Sequence, residues 1–324
     1  MNADRTVLAL KTHHAGERLH PSDSVYKQWI FRYTFLELEK DIGPHGDITT
    51  SALFSDPTEI EAVLISNSEG VLAGMQEAKY FLVGSDPAFK PRLGHIQSEF
   101  LKKDGDILAA GDQILRLHGS VHDILKIERI LLNLLQRMSG IATLTRSYVD
   151  RLGKYGSTVL LTPTRKTIWG LLDKRAVVVG GGGTHRLDLS DAVLVKDTHM
   201  KILAHNIPLI LKLCSNNPGR FLEIEVESRE DALEAMRVFH KLHIPGGLSV
   251  PGVIMFDNMK PSVIKETISE LKESVTFDQL VLFEASGGIR YENLESYART
   301  GVDIISVGAL THSAPSLDFS LELI

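Results

Sequence analysis

Cysteine is nearly absent: the 324-residue chain has one, Cys214, which excludes an intrachain disulfide and any thiolate-held metal cluster. Cys214 follows Ile210-Leu211-Lys212-Leu213, so it reads as a small buried hydrophobe rather than a nucleophile. No apolar stretch approaches the roughly 18 residues of a membrane span, and residues 7–10 are too short for the core of a signal peptide. A reducing, cytoplasmic setting is the expectation. There is no excess of positive charge either. The formal net charge of -6 argues against general nucleic-acid binding, although it leaves room for a local basic pocket. No register of Gly180-Gly181-Gly182-Gly183 satisfies G-x-G-x-x-G, so a dinucleotide-binding turn is not supported. What remains is ordinary soluble composition, 43% hydrophobic and 23% charged, in a chain long enough for two domains.

Residues 1–22 read as a flexible N-terminal arm, with His13-His14 more plausibly a surface pair than metal ligands. Pro21-Ser22-Asp23 then signals a helix start, and Trp29, Phe31, Phe35, Leu36 and Leu38 recur at roughly helical spacing until Gly43-Pro44. Short alternating segments, clearest at 60–65 and 114–117, predict strands around a short helix at 75–82. Residues 23–145 thus form an expected α+β domain. A long amphipathic helix at 121–140 carries Ile124, Ile127, Leu131, Leu134, Leu135 and Met138 on one stripe, with Glu128, Arg129 and Arg137 opposite. A second helix at 142–152 leads into a region of alternating strands and helices.

That region, 146–310, contains short apolar runs at 159–161, 177–179, 193–195, 222–224, 253–256, 281–283 and 304–307. Their spacing is that of βα units, and seven strands suggest an incomplete α/β barrel. Parallel strands of such a barrel collect their C-terminal ends on one face, where active sites lie. After the runs come Arg165-Lys166, His185-Arg186, Lys196-Asp197, Glu225 with Glu227, Asp257, Ser286-Gly287-Gly288 and Gly308. Taken alone, Arg165-Lys166 is more simply a solvated basic turn, and the four glycines a flexible loop. Lys196 is harder to dismiss, because a lysine ending a buried strand must be paired or face a cleft. Glu223, Glu225 and Glu227 alternate onto one strand face, where they need cations or a metal such as Mg²⁺. A structural ion-pair network is the competing explanation. The glycine turns after the last two strands sit where barrel enzymes bind phosphate.

Together these motifs resemble the quinolinate phosphoribosyltransferase family, from about Phe35 to the C-terminus. The resemblance rests on Gly46-Asp47-Ile48-Thr49-Thr50, Glu128-Arg129, residues 133–143, Thr164-Arg165-Lys166-Thr167, His185-Arg186 and Lys196-Asp197-Thr198-His199. It continues through Glu223-Ile224-Glu225-Val226, Asp257-Asn258, Ser286-Gly287-Gly288-Ile289 and residues 306–311. It implies an α/β protein: an α+β N-terminal sandwich domain plus an incomplete seven-stranded α/β barrel, with residues 311–324 returning to the N-terminal domain. It implies a homodimer with shared active sites, or a higher oligomer, and no nucleic-acid or membrane partner.

The implied reaction joins quinolinate to phosphoribosyl pyrophosphate, giving nicotinate mononucleotide, pyrophosphate and CO₂, for NAD biosynthesis. Quinolinate would be held by Arg165, Lys166, His185, Arg186 and Arg129 of the partner subunit. Lys196 would face the ribose phosphate or a substrate carboxylate, and Ser286, Gly287, Gly288 and Gly308 would take the 5-phosphate. Glu225 and Asp257 would organise Mg²⁺, directly or through water. Lys166, Lys196, Glu225 and Asp257 are the expected catalytic groups.

The sequence departs from the family pattern at several points. Trp169 and Leu172 stand where T-R-K-T-x-P-G-x-R has proline and its last arginine. Gly183-Thr184 replaces a common His-Asn, Asp188 a glycine, and Thr198 an asparagine. None removes an assigned charge. The alternatives are a phosphoribosyltransferase for another aromatic acid and a non-catalytic binding protein of the same fold.

Overall fold

The computed structural model describes residues 3–56, 58–83, 93–244 and 247–324. The chain divides into two compact units. One comprises Gly16–Arg146, Thr167–Gly181 and Leu310–Ile324. Its strands are β1 (Glu59–Ser66), β2 (Gly70–Val71), β3 (Gln97–Phe100), β4 (Ile107–Leu108) and β5 (Gln113–Ser120). The C-terminal strand β12 (Phe319–Leu323) completes an antiparallel sheet of order β12-β1-β5-β3, while β2 and β4 form a separate ribbon. Leu64 faces Leu115 on one side and Leu321 on the other, so the tail is hydrogen-bonded into this unit's sheet.

Helix starts follow local chemistry. Asp23 accepts from Val25 N and Tyr26 N at the head of Ser24–Phe31, and Asp47 accepts from Thr49 N and Thr50 N at the head of Ile48–Leu53. Where two helices were expected after β5, one 34-residue helix runs Val121–Lys154. Gly140 does not interrupt it. A Cβ there would lie 2.0 Å from the Pro315 carbonyl oxygen, so the glycine serves close approach of another backbone rather than a turn.

Val177-Val178-Val179, expected as a strand, instead ends the helix Leu171–Val179. The fully buried Asp173 fixes that segment. It accepts from Ile168 N at 2.8 Å and Trp169 N at 3.1 Å, and from Arg137 through two bonds of 2.8 and 2.7 Å. Trp169 stacks on Tyr33 with ring centroids 5.1 Å apart and lies beneath the Arg137 guanidinium. Gly170 (φ 58°) passes against Trp29, leaving no room for a side chain. The tryptophan that departs from the family pattern is therefore a packing residue of this unit.

The other unit comprises Met1–Ala15, Ser147–Lys166 and Gly182–Ala309. Its strands are β6 (Leu160–Thr162), β7 (Val193–Val195), β8 (Leu222–Val226), β9 (Gly252–Asp257), β10 (Val281–Ser286) and β11 (Ile304–Ser306). Among the described residues this parallel sheet has six strands, ordered β6-β11-β10-β9-β8-β7, not the seven expected. The connecting helices follow their apolar periodicity. Arg229–Leu242 buries Ala232, Ala235, Met236 and Phe239, and Ser228 caps it by accepting from Asp231 N.

Residues 3–13 are a helix, not part of a loose arm. It packs at the start of the strands: Ala9 joins Ala192, Phe221, Val253, Leu282 and Ile304 in one buried cluster, with Leu8 and Leu160 against it. Arg5 anchors the helix through Asp303 (2.9 and 2.5 Å) and the Val281 carbonyl (2.9 Å). The helix thus seals the end of the sheet opposite the strand C-termini. No helix among the described residues is long and apolar enough to cross a membrane.

Candidate active site

Strand register builds the mouth. Val195 on β7 faces Ile224 on β8, so Lys196 and Glu225 are level, and Lys196 Nζ donates to Glu225 Oε1 at 2.6 Å. On β9 and β10 Asp257 faces Ser286, and the next residue, Asn258, donates its N–H to the Ser286 carbonyl at 2.9 Å. Asn258 also donates from its side chain to Asp257 (2.8 Å). Gly287 has φ 86°, and a Cβ there would sit 2.3 Å from Asn258 Oδ1, so only glycine closes this turn. Gly288 follows with φ 62°, leaving a backbone turn with no side chains in the way.

Burial pushes the Glu225 carboxyl up; Lys196 opposes that, while Asp257 and Asp197 add to it. Burial likewise pulls the Arg186 guanidinium down, and the nearby Arg165 charge pulls it further. An opposite charge arriving near either group would offset its shift. Arg186 is buried and donates to the Ala192 carbonyl at 3.2 Å, whereas Arg165 and Lys166 are exposed.

The alternating glutamates divide by depth. Glu227 is exposed, Glu225 is at the mouth, and Glu223 is fully buried. Below the mouth, Glu223 meets Glu284, His185 and His13. His13 Nε2 lies 3.0 Å from Glu284 Oε2, and His185 Nε2 lies 3.4 Å from Glu284 Oε1 and 3.6 Å from Glu223 Oε2. Although burial alone would raise the Glu284 carboxyl, His185 and His13 hold it below the usual carboxylate range. Burial and then the Glu284 charge push Glu223 well up. The pair therefore behaves as one acid and one carboxylate.

These four side chains are close enough to share a metal ion, but the hydrogen bonds favour protons. His185 Nδ1 accepts from Arg186 N at 2.7 Å, so a neutral ring keeps its proton on Nε2, the atom facing the carboxylates. His185 is thus turned inward, with its Nδ1 bonded to the backbone of the adjoining Arg186. Arg129 lies in the other unit, on the helix Val121–Lys154, more than half exposed and 3.9 Å from Glu128. Gly308 directly precedes the short helix Ala309–His312.

One member of the buried cluster, Glu284, had gone unassigned, although it is a lone charge inside the run 281–285. His13, expected with His14 at the surface of a loose arm, is instead fully buried, on a helix whose buried Ala9, Thr12 and His13 carry no hydrophobic pattern.

Two family models match the chain: "Quinolinate phosphoribosyl transferase, N-terminal domain" over residues 47–139 and the corresponding C-terminal domain over 141–322. A curated relative from Methanothermobacter thermautotrophicus, "Probable nicotinate-nucleotide pyrophosphorylase [carboxylating]", is 38% identical over 88% of this chain and 96% of its own length. The chloroplastic nicotinate-nucleotide pyrophosphorylase [carboxylating] of Arabidopsis thaliana is 33% identical, over 89% of this chain and 81% of its own. Among solved structures, the nicotinate-nucleotide pyrophosphorylase of Ehrlichia chaffeensis superposes with a TM-score of 0.76 at 29% identity, covering 92% of this chain and 98% of its own. That of Francisella tularensis gives 0.74 at 30% identity, covering 92% and 96%.

Proposed function

Because the chain belongs to the quinolinate phosphoribosyltransferase family, we propose that it converts quinolinate and phosphoribosyl pyrophosphate to nicotinate mononucleotide, pyrophosphate and CO₂. The observation that carries the reading is the buried Arg186, held by the Ala192 carbonyl at 3.2 Å with Arg165 near it, an arrangement that suits a dianion. Quinolinate has two adjacent carboxylates, and Arg guanidinium groups bind carboxylates in a fixed fork geometry. Lys166 adds a charge nearby, and Arg129 of the partner subunit supplies the remaining contact in a homodimer with shared sites. The enzyme would work in the cytoplasm, where its lone thiol stays reduced.

Glu225 and Asp257 offer hard carboxylate oxygens at neighbouring strand ends, and the burden of their like charges suits a cation. They would hold Mg²⁺, directly or through water, and the ion would neutralise the departing pyrophosphate. Lys196, bonded to Glu225, keeps its ammonium at the level of the reacting ribose, and the Ser286-Gly287-Gly288 turn and Gly308 offer backbone to the 5-phosphate. Loss of pyrophosphate builds positive charge at ribose C1, and the quinolinate nitrogen attacks there. The resulting pyridinium accepts the electron pair of the C2–carboxylate bond as CO₂ leaves, and C2 then takes a proton. No side chain acts as a nucleophile, so the protein contributes position and charge.

Purified protein supplied with Mg²⁺ and phosphoribosyl pyrophosphate should use quinolinate far better than nicotinate. The second carboxylate's contact is worth about 2–5 kcal/mol, or a preference of at least ~30-fold in kcat/KM. Comparable turnover of nicotinate, or turnover of quinolinate without CO₂, contradicts the assignment. EDTA should abolish the activity. Glu225→Ala should lower kcat by about 10²–10³-fold, with a much smaller change in quinolinate affinity. Full activity without divalent ions would remove the role given to Glu225 and Asp257.

A further inference from the structure

The helix Ala3–His13 lies outside both stretches matched by the family models, yet its last turn reaches the segment that carries Arg186. The His13 carbonyl accepts from Thr184 N at 2.7 Å and His185 N at 3.0 Å. The Thr184 hydroxyl sits 3.2 Å from the same carbonyl and accepts from Ala15 N at 3.0 Å. Arg220, ion-paired to Asp191, donates to Thr12 O at 2.8 Å and so ties the strap to the far side of the segment.

The His13 side chain completes the arrangement. Its Nδ1 lies 2.8 Å from Thr12 Oγ1, whose hydroxyl donates to the Leu8 and Ala9 carbonyls. The ring stacks on Phe221 with centroids 4.5 Å apart and meets the His185 ring edge-on at 4.7 Å. Nε2 faces Glu284.

Space for the strap comes from Gly183. A Cβ there would lie 2.6 Å from the His13 carbonyl oxygen. The Gly183-Thr184 pair, one of the departures from the family pattern, is therefore what admits the N-terminal strap and then bonds to it.

We propose that His13 is a positioning residue for the dicarboxylate site: with its strap it fixes Gly183–Arg186, orients the His185 ring, and through the His185 Nδ1 bond sets the backbone from which Arg186 reaches the mouth. This rests on the quinolinate reading above. In this reading His13 touches no substrate, and the strap's backbone bonds go to Thr184 and His185 rather than to Glu225, Asp257 or Gly287-Gly288.

The test uses the full-length chain. His13→Ala should weaken quinolinate binding, measured calorimetrically and as KM, tenfold or more, while KM for phosphoribosyl pyrophosphate stays within twofold. His13→Gln, whose amide can still donate to Glu284, should recover most of that loss. Gly183→Ala should reproduce the His13→Ala defect, and the double variant should be no worse than either single one. Amide exchange at Thr184 and His185 should accelerate in His13→Ala while the β10 amides stay protected. That measurement needs no substrate, so it judges the strap even if the wild-type enzyme ignores quinolinate. Equal losses for both substrates, or unchanged quinolinate affinity with unchanged exchange, overturn the proposal. Stoichiometric metal held by His13 and Glu284 in the purified protein overturns it too. If His13→Ala does not fold, the contrast between His13→Gln and Gly183→Ala decides: quinolinate affinity equal in the two sinks it.

Discussion

Asp173→Ala should destabilise the protein by about 3–5 kcal/mol, the usual consequence of leaving a buried charge without its partner. Asp173 is fully buried and serves three donors at once: the Ile168 and Trp169 amides and the fork of Arg137. Alanine leaves the guanidinium, itself only 14% exposed, facing a cavity, and frees the chain that places Trp169 on Tyr33. Asp173→Asn keeps the shape and one acceptor, so it should lose clearly less. Denaturant midpoints of the three proteins, with the slope checked for constancy, give the answer. A loss under about 1 kcal/mol in the alanine variant would mean that Arg137 finds water or another acceptor, and that this network is incidental to stability.

The same residue marks where the sequence stops being legible. Strand ends carrying Arg165, Lys196, Asp257 and Ser286 were readable because a charge or glycine after a short apolar run has few explanations. The helices Arg229–Leu242 and Pro261–Glu273 start at a capping Ser228 and at Pro261, local signals of the kind a sequence carries openly. Val177-Val178-Val179 reads otherwise, because three β-branched residues suit a strand intrinsically and only tertiary bonds through Asp173 hold that stretch helical. Single glycines misled at Gly140, where the signal for a break was a signal for backbone approach.

The candidate site divides in the same way. Its mouth groups were expected as a set, and Lys196 bonds Glu225 at 2.6 Å, a contact that a substrate site and a structural ion pair would share. Its buried floor was half hidden. Alternation put Glu223 on the face of Glu225, but nothing in the pattern said that Glu225 would meet Lys196 while Glu223 lay buried beside Glu284 and His185. His13 required knowing that a polar N-terminal helix closes the far end of the sheet.

Arg129→Ala and Arg186→Ala, each nearly inactive alone, should restore one another when their subunits are exchanged. Under the proposed function each would remove an arginine–carboxylate contact worth about 2–5 kcal/mol, so each should lose roughly 30- to several thousandfold in kcat/KM. Arg186 belongs to the barrel that carries the mouth, on the segment fixed by His185 and the Ala192 carbonyl. Arg129 belongs to the other unit, on the polar side of the helix Val121–Lys154, its side chain 58% exposed with Glu128 at 3.9 Å. An arginine so exposed is open to a neighbouring subunit, and in the proposed shared-site dimer it would complete the neighbour's mouth. A mixed dimer then contains one site with both lesions and one with neither. Random exchange makes half of the dimers mixed, so activity should rise from near zero to about a quarter of wild type. The control is each variant carried alone through the same exchange procedure. If verified mixed dimers stay as inactive as their parents, Arg129 acts within its own chain or not at all, and the shared-site arrangement fails while the Arg186 assignment stands.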